Sequence, residues 1–559
     1  MSDENHKSPL EVENVHSSRQ DQLYQLAIED KAITAAYGPP TIASIIQNRY
    51  VTGVALWAVF GALCFGVDQG LMSVTLVMPQ FTSQFPEIAA NNTSAGFHKG
   101  LLTAMIELGA FVGAIFAPFV ADHYSRRWSL RVGCMFFLIG SIIQTASFTY
   151  GTIVAGRLVG GLGIGMLSLT CPLYISELSP PNLRGILLSL DEFAIVFGIC
   201  VAYYITFGTR YIASQASFRL PFALQMIPGI LLLLGSILLP ASPRWLAMKG
   251  RDQECLTTLA KLRQRDSSDL AVQAEWLSIR AEAQLNREEQ AERHPNLQSG
   301  SLLDKAKLDM WSWFDTWGPG VWKRTLTGVL LMMMQQLVGI NALIYYSPTL
   351  FENLGLSSND RLIQAGVNNV CQLAGVMLSF FFIDRIGRRP LMVAGSFATF
   401  ACMLIVGVLT AKFGDAWPTH KAEAKAAVAF LNLYMVSFGL ALGPVPWLMP
   451  SELYSSSRLR SRGVAWSVMS NWLFNFIIGL VVPPFIQATN WGTFIFFACW
   501  CLICAFWSMF FLPETKGKTL EQLDAIFGDN SGRSDRDRRE RISARLASEQ
   551  LERQSEDEK

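Results

Sequence analysis

Gln335-Gln336-Leu337-Val338-Gly339-Ile340-Asn341, running on to Tyr345-Tyr346 and Ser347-Pro348, sets amides and phenols inside a stretch otherwise built of Leu, Met and Val. An unpartnered amide in hydrocarbon is costly, so Gln335, Gln336 and Asn341 must face other protein groups or a water-filled cavity. Amides donate and accept at once, as vicinal hydroxyls require, and a cluster this dense reads as one wall of a polyhydroxyl-binding site. Hydrogen bonding between helices is the blander alternative. On an ideal helix Gln335 and Asn341 point roughly 120° apart. A local break near Gly339 is therefore expected to help them converge.

Ionisable groups in the other apolar stretches are the second source of chemistry: Asp68, Glu107, Arg157, Asp191 and Glu192. Such groups are expensive in a membrane and default to function. Asp68 and Arg157 carry opposite charges where water cannot solvate either, so they are expected to pair when a cavity closes. Protonating Asp68 would release Arg157, a switch between two arrangements of the helices. A static ion pair holding two helices together is the alternative.

These residues sit in a chain of 559 residues that is 51% hydrophobic and 16% charged, with positive mean hydropathy. That is too apolar for several soluble domains and reads as a polytopic membrane protein. The net charge of +1 says little, because position rather than sum sets topology. The ten cysteines lie mostly in apolar segments, and Cys501 and Cys504 fall in an unbroken apolar run where packing outweighs redox work. The six histidines fall in tails and loops without H-E-x-x-H spacing, and no nucleophile, base and orienter occur together. An enzyme is therefore not expected, and neither a metal, a cofactor nor a nucleic acid is expected as partner.

Residues 1–50 are polar and read as a cytoplasmic tail with a short helix near Leu23–Ala36; the first apolar helix is expected to act as a retained signal anchor. Twelve segments long enough to span a bilayer follow, near 52–76, 99–121, 128–149, 152–174, 186–207, 220–240, 325–351, 362–383, 389–411, 425–450, 464–487 and 491–512. They divide the chain into a bundle over 51–245, a charged helical insert over 246–322, a second bundle over 323–515 and a tail over 516–559. Basic residues crowd the even-numbered loops: Arg126, Arg127 and Arg131, then Arg184, Lys249 to Lys307, Arg385, Arg388 and Arg389, and Arg458, Arg460 and Arg462. Both termini are therefore expected in the cytoplasm. Asn91 and Asn92 open overlapping glycosylation sequons in the first outward loop.

The two halves echo each other. Asp122-His123-Tyr124-Ser125-Arg126-Arg127 corresponds to Asp384-Arg385-Ile386-Gly387-Arg388-Arg389, and Glu177 leading to Arg184 corresponds to Glu452 leading to Arg460. Pro240-Ala241-Ser242-Pro243-Arg244 closes the first half as Pro513-Glu514-Thr515-Lys516-Gly517 closes the second. Repetition of this kind means two six-helix bundles related by an axis along the membrane normal, the arrangement of alternating-access carriers. The acids and arginines Glu177, Arg184, Asp384, Arg388, Arg389, Glu452 and Arg460 are expected to form a cytoplasmic latch that parts when the bundles rock.

Joined to Gly66-Val67-Asp68-Gln69-Gly70, Gly156-Arg157, Pro172-Leu173-Tyr174-Ile175-Ser176-Glu177 and Gly443-Pro444-Val445-Pro446-Trp447, these motifs resemble the sugar porter family of the major facilitator superfamily over residues 50–528, most of all fungal hexose transporters. The resemblance implies an all-α fold of twelve transmembrane helices and a monosaccharide carrier of the plasma membrane, monomeric and glycosylated, working as a sugar/H⁺ symporter. A facilitative sugar or polyol uniporter, and more distantly a nutrient sensor on the same scaffold, are the alternatives it leaves. It implies sugar contacts for Gln335, Gln336, Asn341, Trp447, Asn471, Asn475 and Phe438, an outer gate at Tyr345 and Tyr346, and proton coupling at Asp68 and Arg157. Glu192 occupies the place of a sugar-binding Gln, and the family's Asn in the eighth helix falls on Gln372, with Asn369 nearby. His123 and Ser125 replace the family's Arg and Gly, Ala241 its Glu, and Ser455 its Pro in a loop one residue longer. Easier opening toward the cytoplasm is the expected result.

Overall fold

The computed structural model describes residues 30–38, 42–89, 91–297, 301–414, 416–454, 457–516, 523, 526–527 and 537–549. The expected tail before residue 30, Ser455, the Arg458 side chain, Gly517 and most of the segment after it lie outside the described residues.

Among the described residues, twelve helices are long and apolar enough to cross a membrane. In the first half they are α1 (Arg49–Thr75), α2 (Ala95–His123), α3 (Arg126–Ala146), α4 (Tyr150–Leu178), α5 (Arg184–Thr209) and α6 (Ala216–Gly235). In the second half they are α7 (Trp322–Asn353), α8 (Ser358–Ile386), α9 (Arg388–Phe413), α10 (Lys421–Glu452), α11 (Leu459–Ala488) and α12 (Asn490–Phe510). The most buried is α7, with 83% of its apolar window inside the protein, while α3, α6, α8 and α12 present Phe136, Leu234, Phe381 and Phe506 outward. That division is what a bilayer selects: polar and small residues inward, large apolar ones to lipid.

The departures from regular geometry in α7 and α10 fall where the sequence demands them. In α7 the backbone breaks between Leu337 and Ile340, because Gly339 takes φ +99°, a left-handed conformation that side-chain-bearing residues avoid. In α10 a π turn over Phe438–Leu442 precedes Pro444 and Pro446. Pro446 has no N–H to offer the carbonyl four residues back, so the Leu442 oxygen is left for another donor.

The two halves meet along α2 with α11 and α5 with α8. At the end remote from the chain termini, Tyr203 donates to the Leu362 carbonyl at 2.5 Å and Arg210 to Asn359 Oδ1 at 2.6 Å, both across the halves. Asn91 and Asn92 lie in the turn before α2 at this end, Asn91 exposed and Asn92 accepting from the Ser94 amide at 2.9 Å. At the terminal end, Arg462 of α11 meets Asp122 of α2 at 2.5 Å.

Among its described residues the insert has four α-helices, Pro243–Met248, Asp252–Arg263, Leu270–Arg293 and Leu302–Asp315, the first three sharing a core of Trp245, Leu259, Trp276 and Leu277. The tail contributes a helix over residues 537–549 whose Ile542, Leu546 and Ala547 complete that core. Arg263 fastens the insert to the first half: it binds Glu275 at 2.6 and 2.8 Å and the Leu178 carbonyl at 2.7 Å, one of the oxygens left unpaired where α4 ends. Tyr37, just past the short helix Asp30–Ala36, donates to the same Glu275 at 2.7 Å. Burial alone would raise the Glu275 carboxyl, but the charge and hydrogen bonds of Arg263, with that of Tyr37, hold it below the usual carboxylate range.

Candidate functional site

The break in α7 lets the amides of the opening stretch turn to different neighbours. Gln335 Nε2 donates to the Leu442 carbonyl at 2.9 Å, the oxygen that Pro446 left unpaired, and to the Gly443 carbonyl at 3.0 Å. Its Oε1 accepts from Asn471 Nδ2 of α11 at 2.8 Å. One residue on, Gln336 Oε1 accepts from Asn341 Nδ2 across the break at 2.5 Å. Gln335 and Asn341 thus stay in separate pairs rather than in the single cluster that convergence at Gly339 would give. Asn475, one turn beyond Asn471, is fully buried beside the Tyr345 hydroxyl; Asn471 Oδ1 and Gln372 Oε1 have no hydrogen-bond partner. Asn369 is buried beside Asn368, whose amide is also unpaired. Unsatisfied buried amides are rare in settled cores and mark groups that await a partner.

On the opposite side, Asp191 and Glu192 of α5 face α10. Glu192 Oε1 lies against Gly443, where a side chain would bring a Cβ to 2.9 Å. A narrow cavity opens here between α4, α5 and α10, lined by Pro172, Ser189, Asp191, Glu192, Pro444 and Trp447 among others. Trp447 and Glu192 therefore share one space, while Phe438 starts the π turn behind it, stacked near Tyr434.

Deeper in the first half, Arg157 is wholly buried, with Nη2 at 3.3 Å from Asp68 Oδ2 and from the Thr103 carbonyl. Asp68 Oδ1 and Arg157 Nε and Nη1 have no partner, so the pair is half made. Beside it stands a group that the sequence flagged without a role: Glu107 of α2 accepts a hydrogen bond from the Tyr345 hydroxyl of α7, and Gln69 of α1 donates to the same hydroxyl at 2.8 Å. Tyr346 donates instead to the Gly479 carbonyl of α11 at 2.6 Å. Trp472, not anticipated from sequence, donates to Ser168 of α4 at 3.1 Å and packs edge-on to Phe65.

The terminal-end acids and arginines group differently from the single latch expected. Glu177 pairs with Arg126 at 2.8 Å and takes a hydrogen bond from Ser242; Glu452 pairs with Arg388 at 2.9 Å and accepts from Thr515 at 2.6 Å; Arg388 also holds Asp384 at 2.8 Å. Each of these contacts lies within one half. Arg184 acts on Glu275 of the insert, Arg460 donates to the Tyr454 carbonyl at 3.1 Å, and Arg389 donates to the Met509 carbonyl. The bridge between halves is Asp122–Arg462, with Asp309 of the insert 3.5 Å from Arg462 and 3.2 Å from His123. The reason is positional: Glu177 and Glu452 end α4 and α10, beside the starts of α3 and α9, whereas Asp122 ends α2 on the face that meets α11.

The departures from the repeat fall together at the start of α3. Gly387, before α9, has φ +107° and ψ 162°, and its counterpart Ser125 is forced to φ 150° and ψ 166°, a region nearly reserved for glycine. Glu514 accepts from the Arg388 and Arg389 amides at 3.1 and 3.0 Å, capping α9. Ala241, at the equivalent place in the first half, has no group with which to do this for α3.

Two six-helix bundles with buried amides, a buried ion pair and a cavity between them define a polytopic membrane protein of the major facilitator fold. The chain belongs to the family described as Sugar (and other) transporter, which it matches over residues 54–527. It is 32% identical over 495 residues to the MFS glucose transporter mfs1 of Aspergillus flavus, covering 84% of this chain and 88% of that one. It is 30% identical over 506 residues to the quinate permease of Neurospora africana, covering 88% and 91%. Among solved structures, it superposes with a TM-score of 0.71 on the Escherichia coli proton:xylose symporter XylE bound to 6-bromo-6-deoxy-D-glucose, at 26% identity over 86% of this chain and 99% of that one. The family is one of transporters rather than enzymes.

Proposed function

We propose that this chain carries a monosaccharide, a hexose foremost, across the plasma membrane by alternating access, with a proton moving in the same direction. The observation that carries the proposal is the meeting of the halves at Gly443, where Gln335 of the second half donates to the carbonyl and Glu192 of the first lies against the backbone, with Asn471 bonded to Gln335 and its own oxygen unpaired. In this reading Gln335, Gln336, Asn341, Asn471 and Asn475 exchange hydrogen bonds with sugar hydroxyls, and Trp447 and Phe438 lie against the apolar C–H face of the ring. Tyr345 and Tyr346 hold the outer gate. The relative named as a glucose transporter and the structural neighbour named as a proton:xylose symporter support both halves of the reading.

Asp68 and Arg157 supply the coupling. Their contact is long, at 3.3 Å, and an oxygen of the acid stays free, so a proton can reach Asp68 without first dismantling a saturated network. Neutralising Asp68 withdraws the attraction that holds α1 to α4 and biases the bundles toward the other arrangement. The crowding of basic residues at the terminal end supports a cytoplasmic location for that end and for both termini. A glycan at Asn91 or Asn92 then lies outside, and the working unit is one chain.

Uptake of labelled glucose in a host lacking its own hexose carriers tests this. Accumulation above the external concentration should vanish with a protonophore and in Asp68→Asn, while exchange of internal for external sugar persists in the variant. Accumulation unchanged by both treatments would sink the symport.

A further inference from the structure

We infer that Asp191 and Glu192 form a charge filter, admitting neutral sugars and protonated amino sugars and rejecting sugar acids. The inference rests on the sugar-carrying function proposed above and names the class of cargo that the two acids select. The two acids are adjacent on α5, are 7% and 8% exposed, and both line the cavity that Trp447 closes from α10. Among the described residues lining it there is no Lys, Arg or His; the remaining walls are Pro172, Leu188, Ser189, Pro444 and Leu448. Asp191 Oδ1 has no hydrogen-bond partner although it is buried. Glu192 Oε1 is directed at the Gly443 backbone, whose carbonyl is already taken by Gln335.

Buried carboxylates are tolerated when something positive compensates them. Here no basic side chain does, so the compensating charge must arrive with the traffic, as a proton on a carboxyl or as an ammonium on the cargo. A neutral sugar suits the protonated acids, which can then donate as well as accept. An ammonium at one ring position suits the ionised acids and would also sit well over the face of Trp447. A carboxylate on the cargo would be a third negative group in a space without a cation, the arrangement that suppresses wrong partners most strongly. The distinction matters in this family, since a relative 30% identical to this chain is named for quinate, an acid.

The test is competition against labelled glucose by full-length protein reconstituted in liposomes, using 2-amino-2-deoxyglucose, gluconate and quinate. The amino sugar should compete at least as well as unlabelled glucose, and the two acids should fail even at about a hundredfold excess. Asp191→Asn and Glu192→Gln should each weaken the amino sugar relative to glucose by about fivefold or more, since a charge-assisted hydrogen bond becomes a neutral one. Competition by quinate or gluconate in the unaltered protein, or an amino sugar about tenfold weaker than glucose, would overturn the filter. The unaltered protein decides alone if the variants do not fold. If it moves no sugar at all, the transport function fails instead. The filter is then read from thermal stabilisation of the purified protein: by the amino sugar and not by gluconate if it holds, by gluconate if it does not.

Discussion

Removing the Asp122–Arg462 bridge should open the terminal end. Arg462 Nη1 lies 2.5 Å from Asp122 Oδ2, with side chains 4% and 24% exposed, so the attraction acts in a medium far less screening than water. Arg462 is further held by Ser312 Oγ at 3.1 Å and packs near the rings of Phe119 and Trp313. Asp122 also holds Arg126 at 3.0 Å, but Arg126 keeps Glu177 when Asp122 is neutralised. Net of desolvation, the bridge between halves should favour the closed terminal end by about 1–3 kcal/mol, a population shift of about 5- to 150-fold. Ser189, lining the cavity, reports the opening when replaced by Cys. In vesicles with the terminal end outward, an impermeant thiol reagent should label Ser189→Cys faster by that factor when Arg462→Gln or Asp122→Asn is added. The two together should label no faster than the quicker single variant. Rates equal to the parent, or effects that multiply in the double variant, would refute the bridge as a closing contact.

Two further outcomes follow from the first half and its insert. Ser125→Gly should raise thermal stability by about 1–3 kcal/mol, relieving a backbone conformation that its counterpart Gly387 adopts without strain; an unchanged or lower melting temperature would show that Ser125 is not strained. Glu275 is held below the usual carboxylate range, so its contribution is complete above its unfolded value and is lost as the pH falls through the folded one. Hydrogen exchange over residues 252–293 should therefore stay slow at neutral pH and rise only on acidification. Glu275→Gln should abolish that dependence and leave the insert as loose at neutral pH as the parent is in acid.

What was legible in the sequence follows from what is local. Twelve apolar runs fix twelve helices, and Gly339 announces the break in α7 because glycine takes a positive φ without the penalty a side chain brings. Side chains that matter only through a neighbour hundreds of residues away were not legible. Glu107 looked like an isolated acid until α7 brought Tyr345 to it, and Trp472 looked like one aromatic among many until Ser168 accepted its indole N–H. Asp122 and Arg462 each belonged to a motif of its own half, which concealed that they belong to each other. The helix over residues 537–549 was charged enough to pass for a solvated tail, because its apolar face is only Ile542, Leu546 and Ala547.

The pairing of Gln335 with the carbonyl that Pro446 leaves free bears on how firmly any cargo can be gripped. The amide is already engaged at both ends, by α10 and by Asn471, and Gln336 and Asn341 engage each other. A sugar entering here must displace the bonds of these three amides, while Asn471 Oδ1 is a bare group it can add to, so only part of its hydrogen bonding is a net gain. A carrier has reason to be built this way. A site that held its passenger deeply would become a trap, and turnover would be set by the climb out of it.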